Sequence, residues 1–429
     1  MAGCVALIAS PLSAQTNAPP AAAQAQEDPI RVMVGRLSLD QYKQTLRGLT
    51  QFGDRRQGTS RNRAAVDWIE AQLKSYGCTN TERIVYQYDR RQLPERWPQM
   101  LDSMAAYAKL SPTQRDSVDA VARAGRGGRG GAGGGRGAGG GRGNQNPQKG
   151  FRAPTGVNIN PFFQPDTALR RINMEPDTPG ERQEVYCTKV GKTRPNEMYI
   201  IGAHMDGHGF GSALNDDGSG TALVMELARV FSAPDVETDV SVRFALWNNE
   251  ETGLNGARAY IAQRQALQGI ENPAGSGKYP EPKWLAMIQH DMMMWDHGMP
   301  GPDGKVAPRQ RREADVNIEF RDTSKFATEA QKLAWFFRQM NERYATDYHA
   351  AVGDRMSNTD SDPFKDIVPS ISLRENERLA HTGTGWNPTW HQPIDHWPTF
   401  TDEDFKLGLN AAQTTLSAVG TLAGAKIRK

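Results

Sequence analysis

The chain has 429 residues, 38% hydrophobic and 23% charged, with a formal net charge of +2. That length suits one large α/β domain with insertions or two ordinary domains, and the near-balanced charge singles out neither nucleic acid nor a membrane surface as a partner. No apolar run approaches the roughly 20 residues that cross a bilayer, so no membrane span is expected.

Residues 1–30 read as a signal-like segment and linker. Residues 5–9 form a short apolar core, small and Ala-Pro-rich residues follow, and an Ala-x-Ala site stands at Ala23 to Ala25. No positive charge precedes the core, and Cys4 leaves open a lipoprotein anchor whose signal begins upstream. On either reading the protein is exported, periplasmic or secreted. Cys78 and Cys187 are the other cysteines. Without C-x-x-C spacing they are neither a zinc site nor a redox pair, and in an exported chain they are either bridged or two buried thiols.

Residues 31–429 read as one domain with an interruption. Over 37–77, Tyr42, Leu46, Val66, Ile69 and Leu73 recur at helical steps and Gly77 is placed as a stop. Ile84, Tyr86 and Tyr88 alternate like a strand. Cys78 follows the helix and Cys187 lies on a strand expected to pair with 84–88, which favours the bridge. From about 90 to 166 the pattern breaks. After a short helix near 100–110, residues 123–143 are almost wholly Gly, Arg and Ala, too poor in apolar surface to order themselves. We read a flexible surface insertion. Nucleic acid is not expected there, because no stacking aromatics are interleaved with the arginines.

The stretch 199–231 is the one around which the remaining chain is organised. Residues 199–203 form a short apolar run ending on small residues, 204–217 a polar loop, and Leu223, Leu227, Val230 and Phe231 share a helical face. Strands are expected at 184–189, 197–203, 240–247, 284–288 and 367–373, and helices at 256–267, 325–343 and 402–422. Alternating strands and helices predict an α/β three-layer sandwich: a mostly parallel mixed central sheet flanked by helices.

Several of these strands end in chemically similar residues. His204, Asp206, Asp216 and Asp217 follow the first, Glu250 and Glu251 follow 240–247, His290 and Asp291 follow 284–288, and His391 precedes the last helix. Each has a plain structural alternative: an Asp pair can cap a helix, a Glu pair can be a solvated turn, a single His can bond a carbonyl. Imidazoles and carboxylates gathered at one sheet edge are the donors that borderline divalent metals prefer.

His204-Met-Asp206, Asn215-Asp216-Asp217-Gly-Ser-Gly220, Glu250-Glu251-Thr-Gly-Leu-Asn-Gly256, His290-Asp291-Met292 and Trp390-His391-Gln-Pro resemble, in order, the motifs of the dinuclear zinc aminopeptidases, relatives of glutamate carboxypeptidase II and plasma-type carboxypeptidase Q. Thr359-Asp360-Ser-Asp-Pro-Phe364 is similar to a further segment of that family. The resemblance implies a zinc exopeptidase fold and two zinc ions per chain, bridged by Asp216. His204 and Asp291 would complete one site, and Glu251 and His391 the other. It also implies Glu250 as general base, Asp206 orienting the imidazole of His204, a peptide substrate, and a cis peptide bond between Asp216 and Asp217. The implied activity is that of an aminopeptidase, with a dipeptidase, a carboxypeptidase, a glutaminyl cyclase-like enzyme or an inactive receptor-type homologue as alternatives. Two features depart from the pattern. Trp390 stands where many members have a Tyr that donates to the oxyanion, and His208 and His290 are additional imidazoles, read as structural or supporting rather than as ligands.

Overall fold

The computed structural model describes residues 27–88, 106–107, 109–124, 157–158, 160–298, 307–375 and 387–428. Residues 1–26 of the signal-like segment, most of the helix expected near 100–110 and nearly all of the Gly/Arg tract lie outside them. In chain order come α1 (Pro29–Val34), α2 (Leu39–Thr50), α3 (Ser60–Ser75), β1 (Glu82–Tyr88), α4 (Pro112–Ala124), α5 (Thr167–Asn173), β2 (Gly180–Lys189), β3 (Arg194–His204) and α6 (Gly218–Phe231). Then come β4 (Val236–Glu237), β5 (Val240–Trp247), α7 (Asn255–Arg264), β6 (Lys283–His290), β7 (Asp315–Phe320), α8 (Ala327–Tyr344), β8 (His349–Gly353), β9 (Ser370–Arg374), α9 (Asp402–Leu422) and β10 (Lys426–Ile427).

Eight strands form one sheet in the order β1-β2-β5-β3-β6-β9-β7-β8. The central neighbours β5, β3, β6 and β9 run parallel, so their carboxyl ends open on the same edge. Antiparallel pairs join β1 to β2, β2 to β5 and β9 to β7, and β7 pairs β8 in parallel. Successive side chains of a strand face opposite sides, and β3 divides its apolar residues accordingly. Ile201 enters a large core with the helices α1, α2, α3, α6, α8 and α9, while Ile200 enters a smaller one with Tyr260 of α7, Trp284 and Phe364.

Local chemistry fixes the helix starts. Ser38 accepts from the Gln41 N–H at α2, Thr59 from the Asn62 N–H at α3, and Thr401 with Asp404 makes a capping box on α9. Helix α6 lies in the middle of its layer, every residue buried except Arg229. Burying side chains such as Leu223, Leu227 and Phe231 contributes roughly 1.5–3 kcal/mol each, which makes α6 a firm base for the loop before it.

The three-layer sandwich predicted from sequence is therefore present, with one layer much thinner than the other. Within it, the helical stretch 37–77 divides into α2 and α3 around a loop that buries Asp54, Arg55 and Arg56. The strand expected at 367–373 begins only at Ser370, because Val368 packs against the smaller core in a turn. Strands β7 and β8 were not anticipated. The short His349–Gly353 sequence, HAAVG, carries little strand signal of its own. Cys78 and Cys187 are joined as a disulfide, with Cα atoms 6.0 Å apart and β1 paired to β2 beside it.

Candidate metal centre

The parallel core of the sheet brings the polar residues together. His204 ends β3, Glu250 and Glu251 follow β5, Asp291 follows β6, and Arg374 ends β9, so four adjacent strands deliver polar side chains to one edge. The loop from Met205 to Asp217 returns across that edge into α6. It is pinned by the buried Arg55 guanidinium, which donates to the carbonyls of Met205, Ser212 and Ala213 at 2.7–2.8 Å. Asp395 holds the end of the same loop, accepting from the N–H of Asn215 at 2.8 Å and of Asp216 at 3.1 Å.

Two groups of donors result, and Asp216 stands between them. His204, Asp216 and Asp291 place donor atoms within 4.8 Å of one another, as do His208, Glu251 and His391. Asp216 offers Oδ1 to His204 Nε2 at 3.3 Å and Oδ2 to His391 Nε2 at 3.0 Å. His391 Nε2 is also 2.9 Å from Glu251 Oε2, and His204 Nε2 is 3.8 Å from Asp291 Oδ1. The peptide bond between Asp216 and Asp217 is cis. The two aspartates divide their work: the Asp217 carboxylate turns back to cap α6 at the Gly220 N–H, 2.8 Å away, and also accepts from Met292 N–H.

The His204 tautomer is set by its neighbours. Nδ1 lies 3.0 Å from the backbone carbonyl of Asp206, an acceptor only, so Nδ1 carries a proton and Nε2 is the nitrogen turned toward Asp216 and Asp291. The carboxylate of Asp206 was expected to orient this ring, but its Oδ1 is 3.8 Å from Nδ1 and instead accepts from the Glu250 N–H at 3.1 Å. Asp206 thus ties the Glu250 backbone to the His204 loop.

The electrostatics of the cluster are those of too many buried anions. Burial pushes the Glu250 carboxyl well above its usual range; His204 opposes this, while Glu251, Asp360 and Asp291 add to it. Asp217 and Asp360 are raised in the same way, chiefly by burial, and Asp206 is pushed up to about 6 by burial with Glu251 alongside. Asp216 is held below its usual value, against the effect of burial, by hydrogen bonds from His204 and His391. Burial works against the charged form of His391 as well, yet Glu251 and Asp216 raise it to about 10. Glu251 Oε1 and Asp206 Oδ2 are buried without a hydrogen-bond partner among the described residues. Buried carboxylates with spare lone pairs beside neutral-capable imidazoles are the donor set a divalent cation satisfies, so these residues fit the zinc ions that the sequence resemblance implied.

All the residues singled out from sequence for this chemistry lie at this edge. Trp390 sets its ring against His391, centroids 4.2 Å apart. His290 takes no part: its nitrogens lie against the Gly202 carbonyl at 3.2 Å and the Thr415 hydroxyl at 2.8 Å. His208 does, with Nε2 3.0 Å from Glu251 Oε2. Sequence reasoning also missed Arg374, which donates to Asp291 Oδ2 at 2.8 Å, together with Asp395 and Arg55. None of these three sits in a local pattern; only the fold brings each to the site.

The parallel-centred α/β sheet thus gathers imidazoles and carboxylates at its strand ends, the donor types that a metal-dependent hydrolase uses. Residues 184–410 match the model of peptidase family M28, and the chain belongs to that family. It is 36% identical over 149 residues to an aminopeptidase of Pseudomonas aeruginosa, covering 34% of this chain and 27% of that relative. Its fold is shared with an aminopeptidase of Aneurinibacillus sp. strain AM-1, at a TM-score of 0.55 and 16% identity, over 94% of this chain and 97% of the other. It is shared as well with glutaminyl cyclase of Porphyromonas gingivalis, at a TM-score of 0.50 and 14% identity, over 90% and 99%.

Proposed function

We propose that the protein is a zinc-dependent exopeptidase, most simply an aminopeptidase, that hydrolyses a terminal peptide bond. The observation that carries this is Asp216, whose two oxygens face separate imidazoles, His204 at 3.3 Å and His391 at 3.0 Å. One carboxylate shared between two donor groups is what a pair of metal ions requires. In this reading Asp216, His204 and Asp291 hold one zinc, and Asp216, Glu251 and His391 the other. Bound there, the ions supply Lewis acidity, which acidifies a water to a pKa of roughly 7 and polarises the scissile carbonyl.

The remaining work belongs to the chain. Glu250, buried beside His204 and fixed through its N–H by Asp206, takes the proton from the attacking water and passes it to the leaving amine. Arg374 holds Asp291 through Oδ2, which leaves Oδ1 turned toward His204. Trp390, beside His391, offers an indole N–H as the candidate donor to the oxyanion. The Cys78–Cys187 disulfide supports export to an oxidising compartment. Among the described residues no helix is long and apolar enough to cross a membrane.

Substitution of the two neighbouring glutamates tests the assignment. Glu250→Gln should retain two zinc ions and lose about 10²-fold or more in turnover on aminoacyl substrates. Glu251→Gln should lose metal as well. A Glu250→Gln protein that keeps both ions and the parent's turnover would overturn the role of Glu250. The shared fold with a glutaminyl cyclase supports a second reading. Ammonia release from peptides with amino-terminal glutamine, without hydrolysis of aminoacyl or carboxy-blocked dipeptides, would establish that reading instead.

A further inference from the structure

We infer that His208 is an additional protein ligand of the metal site formed by Glu251 and His391, so that this site is closed by four protein donors while the His204 site keeps an exchangeable position. The inference rests on the two-ion reading above and concerns a residue that the sequence analysis set aside as structural.

Three observations carry it. First, His208, Glu251 and His391 form a self-contained donor group with all ligand atoms within 4.8 Å. His208 Nε2 to Glu251 Oε2 is 3.0 Å, and His391 Nε2 lies 2.9 Å from the same oxygen and 3.0 Å from Asp216 Oδ2. Donors about 2.0–2.1 Å from one tetrahedral ion are separated by ~3.3 Å, close to these spacings. Second, the two imidazoles are 4.0 Å apart between centroids and meet nearly at right angles, 84°. They therefore converge as separate donors and do not stack.

Third, the backbone on either side of His208 is shaped to bring it there. A Cβ on Gly207 would lie 2.4 Å from Ala213 Cβ and 2.9 Å from the Asp216 carbonyl. One on Gly209, at φ +93°, would lie 2.3 Å from the His391 carbonyl carbon. Only glycines at both positions allow the loop to press against the segments bearing Asp216 and His391. Asn158 closes the arrangement from outside: its N–H donates to the His391 carbonyl at 3.0 Å, and its side-chain amide to the Gly209 carbonyl at 3.4 Å.

Four protein donors make a closed site of the structural kind, and three leave a position for water or substrate. The His204 site, with His204, Asp291 and Asp216, is then the one at which water and substrate exchange, and the His208 site is the tighter.

Zinc retention tests this. Parent, His208→Ala, His208→Gln and His391→Ala proteins, each loaded with zinc, are dialysed against graded chelator and their metal counted. The expected result is that His208→Ala and His391→Ala each lose one ion at chelator concentrations at least about 10-fold below those that strip the parent, the other ion being unaffected. Glutamine can keep the hydrogen bond to Glu251 but is a poor zinc ligand, so His208→Gln should behave like the alanine variant. Cobalt-substituted parent and His208→Gln should also differ in visible absorption, which reports ligand number without reference to turnover. Retention of both ions by His208→Gln with the parent's profile and spectrum would reduce His208 to a hydrogen-bond partner and overturn the inference. A parent that holds fewer than two ions would overturn the two-ion reading itself.

Discussion

Asp216 and Asp217 are adjacent and chemically identical, and their different roles come from direction alone. Asp217 points into the first turn of α6 and satisfies the free N–H of Gly220, while Asp216 points outward between His204 and His391. Away from the site, Glu70 on α3 shows the same dependence on surroundings. Burial would raise its carboxyl, but hydrogen bonds from Lys74, Thr81 and Arg83 hold it down to about 2. Because its folded pKa lies below the unfolded value near 4.5, its contribution to stability is complete above about pH 4.5 and is lost as the pH falls toward 2. Glu70→Gln should therefore melt below the parent at pH 6, with the gap narrowing as pH approaches 2. Melting curves across that range check this, and a gap independent of pH would contradict it.

At the scale of elements, the segment leading into α5 ties the site loops together. It lies partly within the interruption read from sequence as a flexible insertion, 90–166. Gln164, buried, donates its amide to the carbonyls of Phe210 and Pro393 at 2.8 and 2.9 Å, joining the His208 loop to the His391 loop. Asn173 of α5 adds a bond to the Gly211 carbonyl at 2.6 Å. Gln164→Ala strands two buried carbonyls at a cost of about 1–3 kcal/mol for each group left unsatisfied. A lower urea midpoint with unchanged slope is expected; an unchanged midpoint would show that the clamp contributes nothing.

For the whole molecule, the site is a store of buried charge. Asp206, Asp216, Asp217, Glu250, Asp291 and Asp360 are all buried at one edge of the sheet. Ligands that bind only the folded state stabilise it, by about 2.7 kcal/mol at a hundred times the dissociation constant. Stripping metal should thus lower the melting temperature by roughly 5 °C or more, and zinc should restore it. Calorimetry with and without chelator measures the shift. Identical melting of the two forms would mean that this edge takes up no cation on folding.

The sequence by itself determined the α/β class, the buried strand leading to His204 and the alternation along β5, and it singled out His204, Asp216, Glu251, Asp291 and His391 as expected ligands and Glu250 as the expected base. It could do so because strand and helix periods, and donor motifs at strand ends, are local patterns within a few residues. The short β7 and β8, the roles of Arg55, Arg374 and Asp395, and the placement of His208 against Glu251 were decided by tertiary structure. Arg55 and His208 lie far apart along the chain yet serve one loop, and Glu251 meets His208 because β5 pairs with β3. Such contacts depend on which strands become neighbours and how closely glycine lets two loops approach, and neither is written in the spacing of residues along the chain.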